Sequence, residues 1–336
     1  ELNKKNFQVF ILLFFRTNDE YVIDQEIKIY SVAKTKKEYM SLSFFKRFKI
    51  MRNILKKVKP EYIISFLPSM QIWISFAAVG MLIKRIETVR VNPWKISFDR
   101  NIYQRLWKRC FRTCNKIIIQ SYSQIFFFKD REKSKCVVIP NPISEIFVRE
   151  FNRRFNECPQ ECIAVGRIVP QKNYRMMIKA FSEVCNSRRY LKLKIFGIGD
   201  YRYMQELEKY IKEVGMQKNI FLMGKTEHIE DEYKKSDIFL MTSDYEGMPN
   251  SLIEAMASQL ICVSTDCETG PKDLIDNGKN GYLVPVNDTE KLRLVLNEIL
   301  NMKTENRIEM AKAARKKVLT YCSQENSVES IARILT

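Results

Sequence analysis

Glu246 and Glu254 stand eight positions apart in "SDYEGMPNSLIEAMASQ", residues 243–259, around a Gly-Met-Pro bend. The bend follows a run that reads as a strand, and Pro249 suits the first turn of a helix, where its missing N–H costs nothing. Such a helix start turns the N–H groups of Asn250, Ser251 and Leu252 outward, and a helix N-terminus is a ready site for an anion. Glu254 lies one turn further in, flanked by Ile253, Ala255 and Ala257. A carboxylate on an apolar stretch needs hydrogen-bond donors, and the vicinal hydroxyls of a ribose would serve. The competing reading is a glutamate on the solvent side of an amphipathic helix.

Three further stretches carry comparable chemistry. In "GRIVPQKN", residues 166–173, Arg167 leaves the end of a strand and Lys172 stands just before the next helix. At the carboxyl edge of a parallel sheet this pair suits a diphosphate, although two basic residues in a loop are commonly just solvated. "FGIGD", with Gly197 as its first glycine, marks a tight turn with close backbone approach. In "CETGPKDLI", Thr269, Gly270 and Pro271 open another helix end.

These loops need a scaffold, and short β-rich runs alternate with helical stretches along the whole chain. The strand candidates of the first half are 7–15, 27–32, 62–67, 87–91, 116–121 and 135–140, with helices over Leu42–Lys59 and Phe98–Cys114. In the second half the strands are 162–168, 191–200, 220–224, 238–243, 261–265 and 281–285. The helices there are 174–186, 203–214, 289–302, 304–320 and 324–335. Continuous apolar runs of this kind suit strands buried on both faces, as in a parallel sheet. "IPNPI", residues 139–143, breaks the pattern with two prolines and reads as a hinge. The expected architecture is α/β, with two facing doubly wound domains and a cleft between them.

Charge is unevenly placed. The chain carries a net +18, and residues 1–150, with 29 Lys and Arg against 13 Asp and Glu, hold +16 of it. The first half is therefore expected to meet something anionic. "LSFFKRFKIMRNILKKVK", residues 42–59, has Phe44, Phe45, Phe48, Met51, Leu55 and Val58 on one stripe, expected to pack inward. Its basic face, with Lys46, Lys49, Arg52, Lys56 and Lys57, suits an anionic membrane surface. No nucleic-acid motif appears. The apolar run Ile72–Ile83 is too short to span a bilayer. Nine cysteines without paired spacing and a single histidine argue for reduced thiols rather than zinc.

The Glu246/Glu254 pair, "GRIVPQKN", the Gly loop, "TGPKDLI" and "NGYLVPVND", in this order, resemble glycosyltransferase family 4, a retaining GT-B family. "TVRVNPWK", residues 88–95, is similar to a region of bacterial transferases that add N-acetylhexosamines to lipid-linked oligosaccharides. The resemblance implies an acceptor-binding Rossmann-like domain over 1–142 and a nucleotide-sugar-binding one over 143–320. A C-terminal helix, 321–336, would cross back to the first. It implies that Arg167 and Lys172 hold the diphosphate and stabilise its developing charge, and that Glu254 accepts from the ribose hydroxyls. Glu246 would sit near the transferred sugar, with Gly247, Met248, Pro249, Asn250, Ser251 and Leu252 holding sugar and phosphate. Gly166, Gly197 and Thr226 would line the nucleotide, and Thr269 and Gly270 the sugar.

Two departures from the family pattern follow. Its first strand and glycine-rich loop are not matched, and its N-terminal histidine has no counterpart, so Arg90 or Asn92 is expected in that role. No Asp-x-Asp follows a strand, so no metal or other cofactor is expected beyond a UDP-sugar donor. The expected enzyme is a hexosyltransferase of surface-glycan or capsule assembly, cytoplasmic and peripheral on the inner membrane face. Its acceptor would be a glycan or a polyprenyl-diphosphate-linked sugar, and nucleic acid is not a partner. A same-fold epimerase and an inactive scaffold homologue stand as alternatives.

Overall fold

The computed structural model describes residues 2, 5–17, 23–96, 101–149, 153 and 155–336. The chain divides into two compact units: 1–119 with 125–139 and 328–336, and 120–124 with 140–327.

Unit 1 contains, in order, β1 (Phe10–Phe15), β2 (Lys28–Ala33), α1 (Lys36–Ser41), α2 (Phe44–Val58), β3 (Tyr62–Ser65), α3 (Pro68–Ala77), β4 (Lys84–Val89), α4 (Asn101–Thr113), β5 (Lys116–Ile119), α5 (Asp130–Lys133) and β6 (Cys136–Val138). Strands β1 and β2 form one parallel pair, and β3-β4-β5-β6 form a separate parallel sheet. Residues of β1, β2, α2, β3 and α3 share one apolar cluster around Met51, Leu55, Ile74 and Ala77. Ile331, Ile334 and Leu335, near the C-terminus, pack on Ile86, Ile118 and Ile139. The helix expected over residues 98–114 is described from Asn101 onward; its first three positions lie outside the described residues.

Two readings of this unit need correction. The apolar stripe of α2 packs inward through Met51 and Leu55, but Phe44 is 58% and Phe45 80% exposed. Ser43 caps the helix through Lys46 N, which sets the first turn beyond the buried stripe. Phe44 meets the partly buried Trp73 at 4.7 Å between ring centroids. Strand β4 also begins at Lys84 rather than near residue 87. Its charged residues were misleading, because Arg85 and Glu87 project from the same face of the strand and pair at 3.4 Å beneath the helices.

Unit 2 contains α6 (Glu145–Val148), β7 (Glu161–Val165), α7 (Tyr174–Cys185), β8 (Lys192–Phe196), α8 (Tyr201–Glu213), β9 (Ile220–Gly224), α9 (Ile229–Lys235), β10 (Ile238–Met241), α10 (Asn250–Ala257), β11 (Ile261–Thr265), α11 (Pro271–Leu274), β12 (Tyr282–Val284), α12 (Thr289–Asn301) and α13 (Thr304–Tyr321); α14 (Gln324–Leu335) ends the chain. Its six strands are all parallel, in the order β12-β11-β10-β7-β8-β9. The continuous apolar runs have a direct cause. Cys162 and Ala164 of β7, with Ile238 and Leu240 of β10, face a core shared with α7, α8 and α12. Ile163, Phe239 and Met241 face the opposite core, shared with α10 and α13. Both faces are covered, as a doubly wound parallel sheet requires.

The strand order reverses between β7 and β10: the chain builds outward from β7 through β8 and β9, then returns to add β10, β11 and β12 on the other side. A crevice opens at the carboxyl ends of strands flanking such a switch point. The loops that leave β7, β10 and β11 hold Arg167, Lys172, Glu246, Thr269 and Gly270.

Candidate functional site

The loop after β7 runs beside the loop after β8 as a continuation of the sheet. Gly166 N donates to Phe196 O at 3.0 Å, Ile168 N to Ile198 O at 3.0 Å, and Asp200 N to Ile168 O at 3.2 Å. This contact is so close that a Cβ at Gly197 overlaps the Gly166 carbonyl, and one at Gly199 overlaps the Ile168 carbonyl. Gly197 also has φ +150°, which few L-residues adopt. Gly166 in turn leaves space for the Lys172 stem, whose Cε lies 3.1 Å from where a Cβ would stand. Both glycines were expected at the nucleotide; their contacts make them the frame that presents Arg167 and Lys172. Arg167 is exposed, and no side-chain partner engages it among the described residues.

Lys172 and Glu246 meet across the switch point, Nζ to Oε1 at 2.6 Å, with both side chains largely buried. An ammonium has three N–H donors, so this contact leaves two for other acceptors. The Glu246 loop is buttressed from β11. Thr269 donates to the Glu246 carbonyl oxygen, and Gly270, at φ +91°, packs so tightly that a Cβ would overlap Gly247 O and press on Pro249 Cδ. Thr269 is fully buried. These two residues, expected at the sugar, shape the loop that carries Glu246.

Pro249 is the residue before α10 rather than its first turn, and the helix starts at Asn250. Leu252 N donates to Pro249 O at 3.2 Å, so the outward amides at this end are those of Asn250 and Ser251. The side chains of Met248 and Leu252 are buried in the core, which leaves only their backbone for any ligand. Half-buried Glu254 finds the donor that burial demands in Tyr233, whose hydroxyl lies 3.3 Å from Oε2 and 3.2 Å from Ser251 O. Burial raises the Glu254 pKa above the ordinary carboxylate value, and the Tyr233 hydrogen bond offsets only part of this. The solvent-face reading of Glu254 is thereby excluded.

Thr226 accepts from His228 N at 3.1 Å in the loop after β9. Arg90 and Asn92 belong to unit 1, just beyond β4. Arg90 is exposed with its guanidinium 5.8 Å from the Phe66 ring. Asn92 is 2% exposed, and its Oδ1 accepts the Trp94 amide at 3.0 Å. Its side chain therefore shapes the loop.

Several participants were not foreseen. Ser243, fully buried, donates to Glu246 Oε1 at 2.6 Å. Gln171 Nε2 donates to Tyr245 O and reaches Glu246 Oε1 at 3.4 Å. Asn141, from the proline-flanked hinge, donates to Met248 O at 3.1 Å and Asn250 Oδ1 at 2.7 Å. The available signal was polarity out of place: a serine ending a buried strand, a glutamine beside Lys172, an asparagine between two prolines.

Two parallel α/β units, one with its charged loops gathered at a single switch point, give the chain the GT-B fold of its structural neighbours. HepE of Anabaena, solved with UDP and glucose, superposes with a TM-score of 0.78 at 14% identity, covering 92% of this chain and 86% of that one. The glycosyl transferases group 1 profile matches residues 148–317, just over half of the chain, and the chain belongs to that family. Among its relatives, the Campylobacter jejuni GalNAc-alpha-(1->4)-GalNAc-alpha-(1->3)-diNAcBac-PP-undecaprenol alpha-1,4-N-acetyl-D-galactosaminyltransferase is 27% identical over 303 residues. That match covers 88% of this chain and 82% of the relative. The Staphylococcus aureus poly(ribitol-phosphate) alpha-N-acetylglucosaminyltransferase is 31% identical over 170 residues, 49% of this chain and 33% of the relative. Both act in sugar transfer rather than epimerisation, which supports the main reading.

Proposed function

We propose that the protein is a retaining transferase moving a hexose or N-acetylhexosamine from a UDP-sugar to a lipid-linked or polymeric acceptor in surface-glycan assembly. The observation that carries it is the convergence of Lys172, Glu246 and the α10 N-terminus at one switch point, with a half-buried carboxylate one turn inside that helix. Glu254 accepts from the ribose hydroxyls. Arg167 and Lys172, with the Asn250 and Ser251 amides, meet the charge that grows on the diphosphate as the glycosidic bond breaks. Glu246 contacts the transferred sugar. The acceptor hydroxyl attacks the face the diphosphate leaves, and a phosphate oxygen takes its proton. No step is assigned to a metal, so turnover should be unchanged by EDTA.

The partner at the membrane follows from unit 1. Residues 1–150 carry a net charge of +16, and exposed Phe44 and Phe45 stand beside Lys46 and Lys49 at the start of α2. Aromatic and basic residues together suit the headgroup region of an anionic leaflet, so the enzyme would work peripherally on the cytoplasmic face. Among the described residues, no helix is long and apolar enough to cross a membrane. The function is tested with a panel of UDP-sugars and a polyprenyl-diphosphate-linked acceptor. Turnover with one UDP-hexose or UDP-N-acetylhexosamine is expected, and none with any member would overturn the reading.

A further inference from the structure

The Glu246 carboxylate is held in an asymmetric way. Lys172 Nζ at 2.6 Å, Ser243 Oγ at 2.6 Å and Gln171 Nε2 at 3.4 Å all converge on Oε1. Among the described residues, none of the hydrogen bonds to this side chain falls on Oε2, and Oε2 is not among the buried atoms lacking a partner. The terminal torsion of a glutamate is broad and roughly two-fold. A single donor would leave it free to rock, whereas several donors from different directions on one oxygen fix where the other points.

Ser243 is a member of this set with no other assignment. It lies two residues beyond β10 and is fully buried. Its carbonyl oxygen accepts from Thr265 Oγ1 at 2.6 Å and Cys267 Sγ at 3.1 Å, so its backbone is tied to the edge of β11. Its hydroxyl donates to Glu246 Oε1. Gln171 is anchored separately: its carbonyl oxygen accepts from Asp244 N at 2.9 Å, and its amide donates to Tyr245 O. The two residues thus grip Glu246 from two sides: Ser243 is tied to the carboxyl end of β11, and Gln171, in the β7 loop, is tied to the backbone of Asp244 and Tyr245.

We propose that Ser243, seconded by Gln171, is a positioning residue that pins Glu246 through Oε1, so that Oε2 is the oxygen presented to the hydroxyls of the transferred sugar. The assignment rests on the reading of Glu246 as the sugar contact. Lys172 alone cannot supply this constraint. Its single hydrogen bond to Oε1 leaves the carboxylate free to turn about its terminal torsion, and a displacement of about 1 Å in a positioned group can cost up to roughly a hundredfold in rate. Ser243 removes that freedom without touching substrate.

The test separates sugar recognition from nucleotide binding. Ser243→Ala, Ser243→Thr and Gln171→Ala are compared with the parent in calorimetric titrations with UDP. UDP release from UDP-glucose, UDP-N-acetylglucosamine and UDP-N-acetylgalactosamine is measured in parallel, with water as acceptor. Ser243→Ala should keep its UDP affinity within about twofold while turnover falls about tenfold or more, as expected for a lost hydrogen bond to a charged group. Ser243→Thr should recover most of the loss, and Gln171→Ala, at a half-buried loop position, should show the same split more weakly. Unchanged turnover in Ser243→Ala and Gln171→Ala overturns the proposal, and so does loss of UDP affinity in step with turnover. A parent that binds UDP but does not discriminate among the three sugars also overturns it. A parent that fails to bind UDP removes the transferase site itself.

Discussion

The hydroxyl of Tyr233 lies 3.3 Å from Oε2 of Glu254, inside the core that α10 shares with β10. Tyr233 is fully buried, so this contact sets the environment of the carboxylate that the proposed function assigns to ribose. Burial raises the Glu254 pKa, and donation from Tyr233 pulls it part of the way back. Glu254 must be ionised to accept two hydroxyls, so affinity for UDP-glucose should fall as pH drops through this raised value. The diphosphate diester of UDP-glucose does not titrate in that range, which isolates the protein group. Tyr233→Phe should move the fall to higher pH and cost about 1 kcal/mol of stability. Titrations over a pH range that begins below the ordinary carboxylate value measure the first effect and thermal unfolding the second.

Gly199→Ala should disable the donor site without altering any residue assigned to contact the donor. Its new Cβ overlaps the Ile168 carbonyl, so the β7 loop carrying Arg167 must shift. UDP affinity should fall about tenfold or more, while Gly215→Ala, where a Cβ meets nothing within 4 Å despite φ +68°, should leave it unchanged. Calorimetry on the two variants makes the comparison.

Unit 1 carries a pH-dependent weakness. Glu87 is fully buried, its Oε2 has no hydrogen-bond partner, and burial, only partly opposed by Arg85, raises its pKa from 4.5 to about 7. A carboxyl group whose folded pKa is raised contributes stability that is present below its unfolded pKa and lost as pH rises through the folded one. At about 1.4 kcal/mol per pKa unit, the difference amounts to roughly 3 kcal/mol between pH 4.5 and pH 7. Glu87→Gln should remove this slope and leave the protein more stable than the parent at pH 8. Urea unfolding across the range reads it directly.

The aromatic start of α2 predicts a separable membrane defect. The double variant Phe44→Ser, Phe45→Ser should lose most of its cosedimentation with phosphatidylglycerol vesicles, while its UDP affinity stays at the parent value. The parent itself should not sediment with phosphatidylcholine vesicles.

The fold was most legible where burial is symmetric. β10 and β11 are buried throughout, and their alternate residues serve opposite cores, so unbroken apolar runs marked them. β4 was misread at its start because Lys84 and Arg85 look like loop residues until Glu87 and the helices above are in place. The charged members of the site were legible because Glu246, Glu254, Arg167 and Lys172 have few other reasons to stand at those spacings. Its supports were not. Ser243 and Thr269 hold Glu246 by contacts that exist only once β10 and β11 are paired, and Gln171 reaches it from a loop 75 residues away in sequence. The exposure of Phe44 and Phe45 is not legible in the sequence, because helical periodicity identifies a stripe but not how far along it the core extends.

Calorimetric titration of UDP into the parent, Arg167→Ala and Glu254→Ala proteins tests the central claim most directly. The parent should bind, and each substitution should weaken binding tenfold or more, about 1.4 kcal/mol. Affinity for UDP in both variants equal to that of the parent would contradict the assignment of this switch point as the nucleotide-sugar site.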